Sequence, residues 1–94
     1  MTKRLHPDDR KEQILAAALK VAGRPGGWAK LTRDAVAKEA NCAEGLPSKY
    51  FGTMVAFRRA IMRAAIRDWN LSVIAQGLAA GYKVALKAEE DFVS

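Results

Sequence analysis

A single cysteine, Cys42, stands in this chain of 94 residues, so no internal disulfide is available and a reducing, cytoplasmic setting is the expectation. Histidine is equally scarce. His6 has no carboxylate or cysteine at ligand spacing and no serine or cysteine beside it to activate, so neither a metal site nor nucleophilic catalysis is expected. Long apolar runs are missing: none approaches the roughly 18 residues that a membrane span requires. The opening "MTKRLHPDDRKEQ" carries charge with no apolar stretch behind it, which excludes a secretory signal. β-branched residues nowhere alternate with polar ones, so strands are not expected. "GRPGG", residues 23–27, lacks the Gly-Lys-Ser/Thr ending of a phosphate-binding loop. The expectation is a protein that is not an enzyme, takes no cofactor and does not enter a membrane.

Acids are missing too, from one place. Between Gly45 and Arg67 there are five basic residues and no Asp or Glu. The net charge of +6 is correspondingly uneven, with residues 1–67 at +8 and residues 68–94 at −2. A segregated basic half on a small domain points to a polyanionic partner. Half of the residues are hydrophobic and alanine dominates, which favours close-packed helices in one domain, 1–94. A core this small makes homodimerisation a plausible source of further stability.

Helical signals run along the chain. Pro7-Asp8-Asp9 opens a first helix, with acids where the helix dipole favours them. Ile14, Leu15, Ala18, Leu19 and Ala22 line its apolar face, and the glycines and proline of residues 23–28 end it. Thr32 caps a second helix, with Val36, Ala37 and Ala40 inward, and Asn41 stops it in a left-handed conformation. A short or irregular third helix begins between Ala43 and Pro47. Gly52-Thr53 makes the next corner, and Thr53 caps a long helix from Met54 to about Asp68. That helix carries two apolar stripes, Met54/Phe57/Ile61/Ala65 and Met62/Ile66/Trp69/Val73. The second needs either the C-terminal segment or another chain, and it is the expected dimer face. Asn70 caps "LSVIAQGLAA", Gly81 ends it, and "YKVALKAEEDF", residues 82–92, forms a last amphipathic turn or two.

Two helices joined by a turn of about three residues, the second exposing small and basic side chains, describe a helix-turn-helix. Such a unit braces one helix so that its neighbour enters a major groove about 12 Å wide. A structural helical hairpin has the same pattern. The sequence adds "ILAAA" at 14–18, Gly27-Trp28 in the loop, Thr32 before Val36-Ala37, and "ANCAEGLPSKYF" at 40–51 with Ala40, Gly45, Tyr50 and Phe51 in order. Through these positions residues 9–61 resemble the DNA-binding head of the tetracycline-repressor (TetR) family of transcription regulators.

The resemblance implies an all-α helical bundle with the head over 9–68 and a dimerising helical extension over 69–94. It implies a sequence-specific regulator of double-stranded DNA, a small homodimeric repressor of prokaryotic or phage origin. The chain departs from the family pattern at several places. Asn41 replaces the turn glycine, Cys42 takes a small apolar position expected to be buried, and Ala43 replaces the capping serine. Pro47 falls within the recognition helix, Ser48 stands where the family has a DNA-contacting tyrosine, and Met54 replaces a phosphate-binding lysine. About 27 residues follow the fourth helix, too few for the large sensor domain of such regulators, so a small-molecule effector is not expected.

The expected DNA contacts are therefore Lys30, Thr32 and Arg33 at the start of the second helix, Ala43, Glu44, Ser48, Lys49 and Tyr50 on the corner and recognition helix, and Thr53 at the next cap. Phe51 is expected in the core. Arg24, a Lys3-Arg4 arm and the row Arg59/Arg63/Arg67 are weaker contacts, the row having salt bridges to Glu89, Glu90 or Asp91 as its alternative. Two rival functions remain open: a helical adaptor binding a partner through the second stripe, and an architectural or recombination accessory factor on DNA.

Overall fold

Three helix starts in the computed structural model, which describes residues 7–81, fall at side-chain capping residues. The elements are α1 (Pro7–Gly23), α2 (Arg33–Ala40), α3 (Leu46–Phe51), α4 (Met54–Arg67) and α5 (Leu71–Ala79), with no strand among the described residues. The Thr32 hydroxyl oxygen accepts from the Ala35 amide at 3.1 Å and that of Thr53 from the Ala56 amide at 3.2 Å. The Asn70 side chain does the same for Val73 at 3.3 Å. Each closes an amide that a helix start otherwise leaves open.

The stops are as definite. Asn41 sits at φ 55°, ψ 49°, and its neighbour Cys42 donates back to the Ala37 carbonyl at 3.0 Å. Trp69 adopts the same left-handed backbone (φ 53°) at the end of α4, where Asn70 donates to Ala65 O at 2.8 Å. A bulky residue there carries a cost of about 1–2 kcal/mol that glycine would avoid. Gly52, at φ 75° and ψ −129°, turns the chain from α3 into α4 through a conformation closed to side chains.

The helices pack as a small bundle, with α1 against α2, α4 and α5, and α3 between α2 and α4. Ile14, Ala18, Ala22, Val36, Phe57, Ile61, Met62, Ala65 and Val73 have no exposed surface. Burying a side chain of the size of Phe57 or Ile61 contributes about 1.5–3 kcal/mol. Phe51 is half-buried and stacks on Phe57 with ring centroids 5.1 Å apart. Cys42, expected to be buried, is only partly so and packs at the core's edge.

The second stripe of α4 does not form an outer face. Met62 and Val73, expected at a dimer interface, are fully buried within the chain's own core. The reason lies in α5, which folds back on α4 and covers that side. Ile66 is half-buried, and of the four only Trp69 is exposed, at 51%, close to Leu71 at 67%. The Lys3-Arg4 arm, His6, the turn expected over 82–92 and the acids Glu89, Glu90 and Asp91 lie outside the described residues.

Candidate nucleic-acid interface

Residues 41–45 join α2 to α3, and Leu46 donates to Ala43 O at 3.1 Å across the corner. The link is longer than the three residues expected because α3 begins only at Leu46. Pro47 then falls in the first turn, where its missing N–H leaves no gap in the hydrogen bonding, and its ring is buried. A short helix so placed exposes Ser48 and Lys49 and turns Tyr50 and Phe51 toward the core.

Arg33 ties this corner together. Its Nη1 donates to Ser48 Oγ at 2.7 Å and to the Gly52 carbonyl oxygen at 3.2 Å. The first residue of α2 is thereby fastened both to the exposed side of α3 and to the turn into α4. Of the residues expected to contact DNA, the structure brings Arg33 and Ser48 into direct contact. Thr32 and Thr53 cap the helices on either side. Lys30, Ala43, Glu44 and Lys49 are exposed, and Tyr50 is half-buried. Met54, where the resemblance has a lysine, is half-buried against the core and offers no charge.

The approach to α2 is built from parts that the sequence does not announce. Arg58, from α4, donates through Nη1 to the Trp28 carbonyl at 2.6 Å and through Nη2 to that of Leu31 at 3.5 Å, and its guanidinium lies 4.9 Å from the Trp28 ring centroid. From α5, Gln76 Nε2 donates to Ala22 O at 2.7 Å and Arg24 O at 3.1 Å, while its Oε1 accepts from the Trp28 amide at 3.0 Å. Ser72 Oγ donates to Gly23 O at 2.7 Å. The carbonyls at the end of α1, orphaned by the helix stop, thus find partners on α5. Gln13 Nε2 on α1 reaches Ala40 O, the end of α2, at 3.3 Å.

Gly27 makes this loop possible. A Cβ there would collide with the Val21 carbonyl oxygen, and another carbonyl, that of Arg24, lies 2.9 Å away. The loop passes too close to the end of α1 for any side chain.

The remaining cations divide. Arg24 pairs with Glu39 at 2.6 Å, which draws it toward the far end of α2. Arg67 takes both carboxylate oxygens of Glu12, at 3.0 and 3.1 Å, and also Asp68 at 2.9 Å. These hydrogen bonds hold the Asp68 carboxyl below its ordinary range and the Arg67 guanidinium above its own. Arg67 is therefore committed within the chain, whereas Arg59 and Arg63 are exposed. No group of three or more metal-ligating side chains forms among the described residues, and no described helix is long and apolar enough to cross a membrane. No protein-family model, curated protein or solved structure matches the chain.

Proposed function

We propose that the chain is a helix-turn-helix DNA-binding protein, a small homodimeric transcriptional repressor whose α3 enters the major groove. The bracing of α3 carries the reading. Arg33 locks α2, the exposed side of α3 and the α3–α4 turn into one unit, as a helix presented to a groove requires. The unbroken basic character from Gly45 to Arg67 and the likeness of residues 9–61 to the TetR head support it.

In this reading Lys49 approaches a phosphate or a base edge, and Ser48 and Glu44 face bases. Lys30, with Thr32 and the first amides of α2, positions the backbone, and Tyr50 and Thr53 add phosphate contacts. Two α3 helices about 34 Å apart would occupy successive major grooves of a near-palindromic operator. With Met62 and Val73 inside the core, the dimer contact falls to the exposed corner carrying Trp69 and Leu71.

The test is binding to the DNA upstream of the protein's own gene and to scrambled DNA of equal length, across a salt series. A specific complex surviving near-physiological salt, with log K falling at about −0.9 per neutralised phosphate, is expected. Equal, weak binding to both that vanishes with salt would overturn the reading and favour the adaptor.

A further inference from the structure

We propose that Arg33 biases the sense in which Ser48 hydrogen-bonds, making Ser48 a strengthened donor that favours a base edge carrying an acceptor over cytosine. The inference rests on the DNA-binding reading above. It begins from the bond between Arg33 Nη1 and Ser48 Oγ, 2.7 Å long. A serine hydroxyl ordinarily offers one donor and two acceptor lone pairs and turns to suit whatever it meets. A guanidinium has no lone pair to offer, so at this bond Ser48 can only accept. One lone pair is thereby spent on a cation, the second stays open but beside a positive charge, and the hydroxyl proton must point away from Arg33.

The usual alternative for a helical serine is to donate to a carbonyl one turn back, but Ser48 Oγ donates to no described residue. Arg33 is itself anchored at Gly52 O, so it does not follow the hydroxyl as it rotates. Accepting from a cation also polarises the O–H bond and strengthens it as a donor. The result is an exposed hydroxyl with a preset polarity. In the major groove such a donor matches guanine N7 and O6, adenine N7 or thymine O4, whereas cytosine presents an amino donor that must use the second lone pair of an oxygen already accepting from a cation, a weaker bond.

The experiment is selection of bound duplexes from a randomised library by the whole protein and its Ser48→Ala, Ser48→Thr and Arg33→Ala variants. The wild type is expected to disfavour cytosine at one position. Ser48→Ala should relax that position alone, by about five- to tenfold, the worth of one neutral hydrogen bond. Ser48→Thr, which keeps the hydroxyl, should retain the bias, and Arg33→Ala should weaken it although Ser48 is intact. Affinity lost equally across all sequences on Ser48→Ala would mean contact with a phosphate oxygen and overturn the proposal.

A second measurement needs no DNA. Nitrogen-15 NMR of the arginine side chains should show slowed rotation of the Arg33 guanidinium in the wild type and faster rotation in Ser48→Ala, where only the bond to Gly52 remains. Equal rotation rates in the two would overturn the proposal while leaving the DNA-binding reading in place. Slowed rotation together with no preferred DNA sequence would instead defeat the function, and the proposal with it.

Discussion

Arg58 covers the Trp28 ring at 4.9 Å and donates to the same residue's carbonyl at 2.6 Å. One side chain thus holds both the face and the backbone of the only aromatic residue in the loop that leads to α2. Replacing it with alanine should cost about 2–4 kcal/mol, the sum of a partly desolvated cation–π contact and a charge-assisted bond. Arg58→Lys should lose less, because it keeps the charge but cannot fork to two carbonyls. Urea unfolding of the three proteins at equal salt checks the order.

Gln76 should tolerate neither loss nor ionisation. Gln76→Ala leaves the Trp28 amide and the Ala22 carbonyl oxygen to find water in a half-buried site, at about 1–3 kcal/mol. Gln76→Glu places a carboxylate against the carbonyl oxygens of Ala22 and Arg24, so that variant's new carboxyl should titrate above the ordinary value. Its folded form gains relative stability as pH falls through that raised value, and loses it again at neutrality. Thermal melts of Gln76→Glu at pH 4 and pH 7, referenced to the wild type at each pH, read the difference directly.

Asp68 supplies the opposite sign. Its folded carboxyl titrates below 3.8 because Arg67 hydrogen-bonds the charged form. The contribution is therefore present above pH 3.8 and is lost as pH falls through the lower folded value. The pair is exposed, so the effect is small. Melting temperatures of the wild type and Asp68→Asn should differ at pH 6 and converge as the pH falls below 3.8 through the lower folded value. A constant gap would show that Asp68 acts by something other than its charge.

Two glycines should answer alanine in opposite ways. Gly27→Ala forces a methyl group into the backbone at the end of α1 and should abolish folding or cost more than about 3 kcal/mol. Gly45 sits at φ −78° with nothing within 4 Å of an added Cβ. Gly45→Ala should stabilise by about 0.4–1 kcal/mol by restricting the unfolded chain. Circular dichroism melts of both variants decide it.

Capping explains how much of this fold is legible before any coordinates. Thr32, Asn41, Thr53 and Asn70 are short polar residues whose side chains or backbone preferences act within three or four positions, so local sequence names them correctly. The inward face of α1, from Ile14 to Ala22, is legible for the same reason: its spacing is a property of one helix. Met62 and Val73 are not, because an apolar stripe shows that something covers it without showing what. The long-range polar contacts are still less visible. Ser72, Gln76 and Arg58 look like solvent-facing residues on helices, and their partners are backbone carbonyls 27–54 positions away, which have no sequence signature. In the candidate interface, exposure of Ser48 and Lys49 follows from their place on α3, but the bond from Arg33 to Ser48 needs the angle between two helices.

The three bonds of Gln76 also constrain the order in which the molecule can be made. Residues 22–28 emerge from the ribosome some fifty residues before the side chain that fixes them. At about 5–20 residues per second, that loop spends seconds without its partner. During that interval α1 and α2 are held by their apolar faces, the Gln13–Ala40 bond and the Arg24–Glu39 pair, without the bonds from α5. The loop between them matures last, in the same event that brings α5 across α4. A nascent chain stopped before residue 76 would therefore display its second helix at an unsettled angle, and arrested chains probed with a protease should be cut between residues 24 and 31 until Gln76 is released.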